Sequence, residues 1–143
     1  MTIAHGSVTF ASRNGLSYDT YFPELKDLPT ALALSTGVAD GEIVEMDSSG
    51  IISFQAIQPR LRRSSFGKAE DGPHGISLYL FDLLFKDGKD LRKLPLRERR
   101  ALLSKTLRPK DRVKLSGALD GSASDVMELA TEHGLEGIVA KLG

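Results

Sequence analysis

The chain has 143 residues, with 19 Lys and Arg balanced by 19 Asp and Glu. That length supports one domain with a real core, and the balanced charge argues against a nucleic-acid footprint spread over the whole sequence. The absence of cysteine excludes disulfide frameworks and Cys-based zinc sites.

No apolar run approaches transmembrane length, and Met1-Thr2-Ile3-Ala4-His5 lacks a signal-peptide pattern. The expectation is a cytoplasmic protein with no membrane partner. No internal repeat, coiled coil or low-complexity tract is present.

In chain order, Ser7 to Ala11 reads as a short strand, and Asn14-Gly15 supplies a tight turn. Pro23 opens a helical stretch through Leu28; Pro29 interrupts it, and Thr30 to Leu34 continues as a second helical turn. Gly41 to Asp47 reads as a strand, and Asp47-Ser48-Ser49-Gly50 as a loop. Ile51 to Ile57 pairs back as a hairpin. Leu61 to Gly75 reads as a long polar loop holding the basic cluster Arg60, Arg62, Arg63 and Lys68. Composition alone reads that cluster as a solvated loop.

Ile76 to Phe85 is almost wholly apolar or aromatic, which suits a central strand. Asp87-Gly88 marks a turn, and Pro95 fits the first turn of a helix. Leu96, Leu103 and Leu107 define that helix's apolar side, with Arg97, Glu98 and Arg100 on its wet side. Alternation places Ile76, Leu78, Leu80, Asp82 and Leu84 on one strand face. A carboxylate among leucines must find donors or a cation, so Asp82 is expected to be a structural acid bonded to backbone or to a basic side chain.

Arg112 to Leu115 reads as another strand. Ser122 or Ser124 caps the next helix, whose face carries Val126, Leu129, Ala130 and His133, with Gly134 closing it. Glu136 to Lys141 is the last strand. His133 suits the helix C-terminus, and His5, His74 and His133 show no metal-ligand spacing. Hairpins together with helices indicate an α+β class with largely antiparallel sheet and packed helices.

Two acids occupy matching places. Glu42 and Glu136 each lead an apolar strand face beside a glycine, Gly41 or Gly137. Such acids bind a cation, a sugar hydroxyl or a partner arginine, or stand as exposed strand-end glutamates.

Several segments in order resemble the adenylation domain of ATP-dependent DNA ligases, within the covalent nucleotidyltransferase superfamily that includes mRNA capping enzymes. Ser12-Arg13-Asn14-Gly15 followed by Phe22-Pro23-Glu24-Leu25 resembles motif Ia. Asp40-Gly41-Glu42-Ile43-Val44 resembles motif III, and Phe54-Gln55-Ala56-Ile57-Gln58 the segment after it. Tyr79-Leu80-Phe81-Asp82-Leu83-Leu84 resembles motif IIIa, and Glu136-Gly137-Ile138-Val139-Ala140-Lys141 resembles motif IV. One hexapeptide is a weak signal; four motifs in family order across almost the whole chain are a strong one, and the match is closest to the bacterial end-joining type.

The resemblance implies the ligase/nucleotidyltransferase (ATP-grasp-like) fold, with residues 1–143 as part of one adenylation domain. It implies ATP and Mg2+ as cofactors. Phe81 would stack on the adenine, Glu42 would hold the ribose hydroxyls, and Glu136 would bind the metal. Arg13 would contact a phosphate of nicked DNA, and Lys141 matches a basic position of the nucleotide site.

The family's nucleophilic Lys-x-Asp-Gly of motif I does not occur, and Lys68 and Lys89 fall after motif Ia. The lysine-rich motif V and the oligonucleotide-binding domain are also missing. The resemblance therefore implies a fragment or truncated relative, with no catalytic residue of its own, inactive alone and unable to adenylylate itself. Its partners would be nicked or broken double-stranded DNA, bound weakly, and the remaining parts of a ligase. Two other readings stand beside it: a nucleotide- or DNA-binding accessory module, or another covalent nucleotidyltransferase such as an RNA ligase. The motif Ia segment favours DNA ligase over capping enzyme.

Overall fold

Gly75–Lys86 forms the strand on which the other elements assemble. In the computed structural model, residues 1–25, 28–46, 52–53, 57, 60–61, 75–108, 112–118 and 121–132 are described. Their elements in order are β1 (Thr2–Ala4), β2 (Ser7–Thr9), 3-10 turns at Pro23–Leu25 and Leu28–Ala31, β3 (Thr36–Met46) and β4 (Ile52–Ser53). Then follow β5 (Gly75–Lys86), β6 (Lys89–Asp90), α1 (Leu96–Thr106), β7 (Val113–Leu115) and α2 (Ala123–Glu132). The sheet runs β2-β1-β3-β5-β6, with β4 also on β3 and β7 also on β5. Every pairing is antiparallel except β5 with β7, whose crossover carries α1, as a parallel pair requires. The class is α+β, as the sequence indicates.

The core is built around β5. Ile76, Leu78, Leu80 and Leu83 are buried, together with Leu103 of α1, Val113 of β7, Leu25 and Leu28 of the 3-10 turns and Phe22 just before the first of them. Burying each such side chain contributes about 1.5–3 kcal/mol. Among the described residues no helix is long and apolar enough to cross a membrane.

The pairing of β3 with β5 is not regular. Ala39 faces Leu83 and Val38 faces Phe85, leaving Leu84 extra; Asp40 faces Asp82 and Gly41 faces Leu80, leaving Phe81 extra. Each extra residue is a β-bulge, which shifts the phase of the alternation beyond it. Residues directly opposite share a face. Leu80 and Leu83 therefore go with Gly41 and Ala39, while Tyr79 and Asp82 go with Glu42 and Asp40. This corrects the expected faces: Asp82 does not lie in a row with Leu78 and Leu80.

Asp82 is nevertheless buried, at 6 % exposure, and it meets a cation as expected. Arg99 of α1 binds it through both prongs, Nε to Oδ1 and Nη2 to Oδ2, each at 2.8 Å. Asp82 Oδ1 also accepts from the Leu83 N–H at 2.8 Å. The third guanidinium nitrogen, Nη1, donates to the Leu94 carbonyl at 2.6 Å, tying the helix entry to the strand. The hydrogen bond with Asp82 raises the pKa of Arg99 above its ordinary value. Arg97 and Glu98 are exposed as expected, but Arg100 is half-buried, because backbone carbonyls on β5 and beyond β7 draw it in.

Several boundaries differ from the expected ones. β1 is unforeseen: three residues carry little periodic signal, and its partners β2 and β3 are distant in sequence or lie past a turn. β3 starts at Thr36 because Thr36, Gly37 and Val38 pair with β1, so Glu42 lies inside the strand and does not begin it. Pro29 sits within the second 3-10 turn and does not break one; φ near −65° fits an opening helical turn. The Asn14-Gly15 turn forms as expected, with the Gly15 N–H donating to the Ser12 carbonyl at 2.9 Å. Ser122 caps α2 by accepting from the Asp125 N–H at 3.2 Å. On that helix Ala130 is buried but Leu129 is 40 % exposed, contrary to the shared apolar face. The expected 47–50 loop, most of the second hairpin strand and of the 61–75 loop, His74, His133, Gly134 and the final strand lie outside the described residues.

Two predictions follow from these contacts. Arg99→Met leaves Asp82 buried without its cation and should cost about 3–5 kcal/mol. The double variant Asp82→Leu/Arg99→Met should recover much of that loss, and urea midpoints of the two variants decide. An unchanged midpoint for Arg99→Met would place Asp82 in solvent.

The second concerns the β5–β6 turn, where Asp87 adopts a positive φ of 46°. Its carboxylate accepts from Lys86 Nζ at 2.7 Å and from the Ser35 and Thr36 N–H groups at 2.8 and 3.1 Å. The Lys86 contact, then the Thr36 and Ser35 amides, lower its pKa from 3.8 to about 2. A carboxylate with a depressed folded-state pKa stabilises fully above its unfolded value and loses that contribution as pH falls through the folded one. Wild type and Asp87→Asn should therefore differ in stability above about pH 4 and converge toward pH 2. Parallel curves across that window would contradict the assignment.

Candidate functional site

Glu42 and Phe81 come together through the β3–β5 register. Glu42 faces Tyr79, and Phe81 is the extra residue between Leu80 and Asp82. The strands approach closely because Gly41 has no side chain: a Cβ there would lie 2.8 Å from the Tyr79 carbonyl and 2.9 Å from Leu80 Cδ2. The missing side chain at Gly41 makes room for the β5 backbone. Glu42 is exposed and Phe81 half-buried.

A bulge frees backbone groups that must find other partners. Here the Phe81 carbonyl accepts from Arg100 Nη1 at 3.1 Å, and Arg100 Nη2 donates to the Ser116 carbonyl at 2.7 Å. The planar fork thus spans β5 and the segment after β7, and α1 holds the Phe81 backbone from behind. Arg100 and its neighbour Arg99 grip adjacent residues of the same strand, one by its carbonyl and one by its carboxylate.

The row through Glu42 and Tyr79 continues to β7, where Tyr79 faces Lys114. The Lys114 ammonium lies 5.6 Å from the Tyr79 ring centroid and 4.0 Å from Met46 Sδ. The Tyr79 hydroxyl reaches the same sulfur at 3.8 Å. Acid, aromatic ring and cation therefore stand side by side on three neighbouring strands.

Arg13 lies elsewhere, on a cavity of about 240 Å³ between the Ser12–Gly15 turn and the sheet. Phe10, Tyr18 and Phe22 line it, and Gly41, Glu42 and Ile43 border it from β3. The turn is held by the Leu16 N–H donating to Ser12 Oγ at 3.1 Å and by the Ser12 N–H donating to the Leu16 carbonyl at 2.8 Å. Behind the cavity Arg60 pairs with Glu24 at 2.7 Å and lies 5.7 Å from the Phe22 ring centroid. Arg60 of the basic cluster is thus spent on structure and is not a solvated loop residue; the cluster's other members are outside the described residues.

Glu42 adjoins both Phe81 across the strands and Arg13 across the cavity. Glu136 and Lys141 lie outside the described residues. Among the described residues no group of three His, Asp or Glu could hold a metal ion, so these residues alone do not form a metal centre. Arg100, Tyr79 and Lys114 were not singled out from sequence. The signal for Arg100 would have been a second arginine one turn into a helix that must cover a strand; nothing in the sequence marks the bulge it serves.

Comparison with known proteins gives a consistent result. A family model for the ATP dependent DNA ligase domain matches residues 1–142. The multifunctional non-homologous end joining protein LigD of Pseudomonas aeruginosa is 35% identical over 141 residues, covering 97% of this chain and 16% of that protein. The SPbeta prophage-derived DNA ligase-like protein LigB of Bacillus subtilis is 30% identical over 130 residues, covering 91% of this chain and 45% of that protein. Among solved structures, mycobacterial DNA ligase D complexed with ATP and MES superimposes with a TM-score of 0.72 at 29% identity, covering 95% of this chain and 42% of that one. The ligase domain of Mycobacterium tuberculosis LigD gives 0.70. The chain spans less than half the length of each of these relatives. With the sheet, the ordered motifs and the family match in agreement, this chain belongs to the ATP dependent DNA ligase domain family and resembles its bacterial end-joining type.

Proposed function

We propose that this chain supplies the adenosine-facing part of a DNA-ligase adenylation site. The observation that carries the reading is the bulged β3–β5 register, which sets Phe81 beside the Glu42–Tyr79 pair. A carboxylate accepts from both hydroxyls of a ribose, and an aromatic ring stacks on a purine. Glu42 takes the first role and Phe81 the second. Arg13, with its charge-bearing fork on the neighbouring cavity, contacts a phosphate of nicked or broken DNA. Lys141 belongs to the nucleotide site, and Glu136 is the proposed carboxylate for a divalent ion such as Mg2+.

The reaction served is adenylyl transfer: a lysine takes AMP from ATP with release of pyrophosphate, the AMP passes to a DNA 5′-phosphate, and a DNA 3′-hydroxyl displaces it as the nick is sealed. The work of the residues described is binding and orientation. Arg100 fixes the Phe81 backbone, and Arg99 fixes the strand next to it. The chain works in the cytoplasm together with the remaining parts of a ligase, and its own hold on DNA is weak and salt-sensitive.

Titration of the 143-residue chain with ATP, followed by backbone amide shifts, tests the reading. An exposed carboxylate and a half-buried ring support affinity of about 1 mM, near 4 kcal/mol. Shifts should centre on residues 40–43 and 79–82, and Glu42→Gln or Phe81→Ala should each weaken binding by roughly tenfold, equivalent to about 1.4 kcal/mol. Shifts confined to residues 60–68 would indicate loose electrostatic contact and overturn the adenosine assignment.

A further inference from the structure

Lys114 is the least explained cation on the nucleotide-facing strands. It is half-buried, yet no carboxylate lies within ion-pairing distance among the described residues. Its neighbours are the Tyr79 ring and the Met46 thioether, neither of which carries charge. A half-buried lysine packs its apolar stem and keeps its ammonium available to a ligand. The cation–π contact confines the ammonium over the ring, so the side chain is preorganised before any ligand arrives.

Its position narrows the ligand. Glu42, Tyr79 and Lys114 occupy one cross-strand row. Two strand spacings of about 4.8 Å separate the first from the last. A ribose held at Glu42 therefore has a 5′-phosphate chain long enough to reach toward Lys114, with Tyr79 beneath it. Phe81 lies two residues from Tyr79 on β5, the middle strand of that row, so an adenine at Phe81 and phosphates at Lys114 both lie on the same side of a ribose at Glu42.

We propose that Lys114 binds the phosphate chain of the nucleotide, with Tyr79 and Met46 as positioning residues that hold its ammonium in place. The contact is a charge-assisted one between an ammonium and phosphate oxygens. It rests on the adenosine reading of Glu42 and Phe81 for its orientation, while the cation itself follows from the Tyr79–Lys114 geometry alone.

The test uses the full chain with three probes: adenosine, ATP and inorganic tripolyphosphate. In wild type, ATP should bind more tightly than adenosine, and tripolyphosphate should shift the Lys114 side-chain ammonium and Tyr79 ring signals. Lys114→Met should weaken ATP roughly tenfold and abolish tripolyphosphate binding while leaving adenosine unchanged; Lys114→Arg should restore ATP binding. Equal ATP affinity in wild type and Lys114→Met overturns the proposal while leaving the adenosine reading intact. Failure of adenosine with tripolyphosphate still shifting Lys114 removes the adenosine reading and keeps the phosphate site. Should Lys114→Met fail to fold, the wild-type signals decide: tripolyphosphate that leaves Lys114 and Tyr79 unmoved overturns the proposal.

Discussion

The pairing of β3 with β5, interrupted at Phe81 and Leu84, is the constraint from which the rest of the site follows. A regular ladder would put Phe81 opposite a β3 residue and continue a single alternation to the turn. The extra residue at Phe81 instead lets Leu80 and Leu83 face the core together and turns Asp82 toward α1. The bulge would leave polar groups without partners, and α1 supplies them. Arg99 meets the Asp82 carboxylate, and Arg100 meets the Phe81 carbonyl. One turn of helix thus secures an irregularity in the strand, and the irregularity sets the aromatic residue beside Glu42.

This arrangement separates buried from accessible side chains within a few residues. Leu80, Leu83 and Leu103 are buried and serve the core. Asp82 is buried but committed to Arg99. Glu42 and Phe81 keep accessible surface and lie beside Gly41, where the neighbouring strand leaves no room for a side chain. A side chain at position 41 would push against the Tyr79 carbonyl and disturb the strand pairing before any ligand was involved. The register brings together Glu42 and Phe81, two of the residues that the resemblance singles out.

Much of this was legible in the sequence, for identifiable reasons. Ile76–Phe85 is apolar enough to declare a central strand, and a lone aspartate within it announces a buried partner. Turn chemistry at Asn14-Gly15 and Asp87-Gly88 is local and was readable. The remainder depends on pairing between distant segments. The first half of β3 forms because β1 lies beside it, and β1 itself is too short to show a period. The bulges are a property of two strands at once, so the phase of Asp82 could not be read from β5 alone. A 3.6-residue period places Arg100 on the solvent side, because it describes a helix face and not a carbonyl exposed by a bulge. Lys114 was hidden for the same reason: its partner Tyr79 lies on another strand, and a single lysine in a short strand carries no sequence signal.

The most direct measurement is of intermolecular nuclear Overhauser effects between bound adenosine and the aromatic rings of the chain. If the bulged register builds the nucleotide site, the adenine protons should show cross-peaks to the Phe81 ring, and the ribose protons to residues neighbouring Glu42 on β3. Cross-peaks from adenine to Tyr18 and Phe22 in the Arg13 cavity, with none to Phe81, would contradict it.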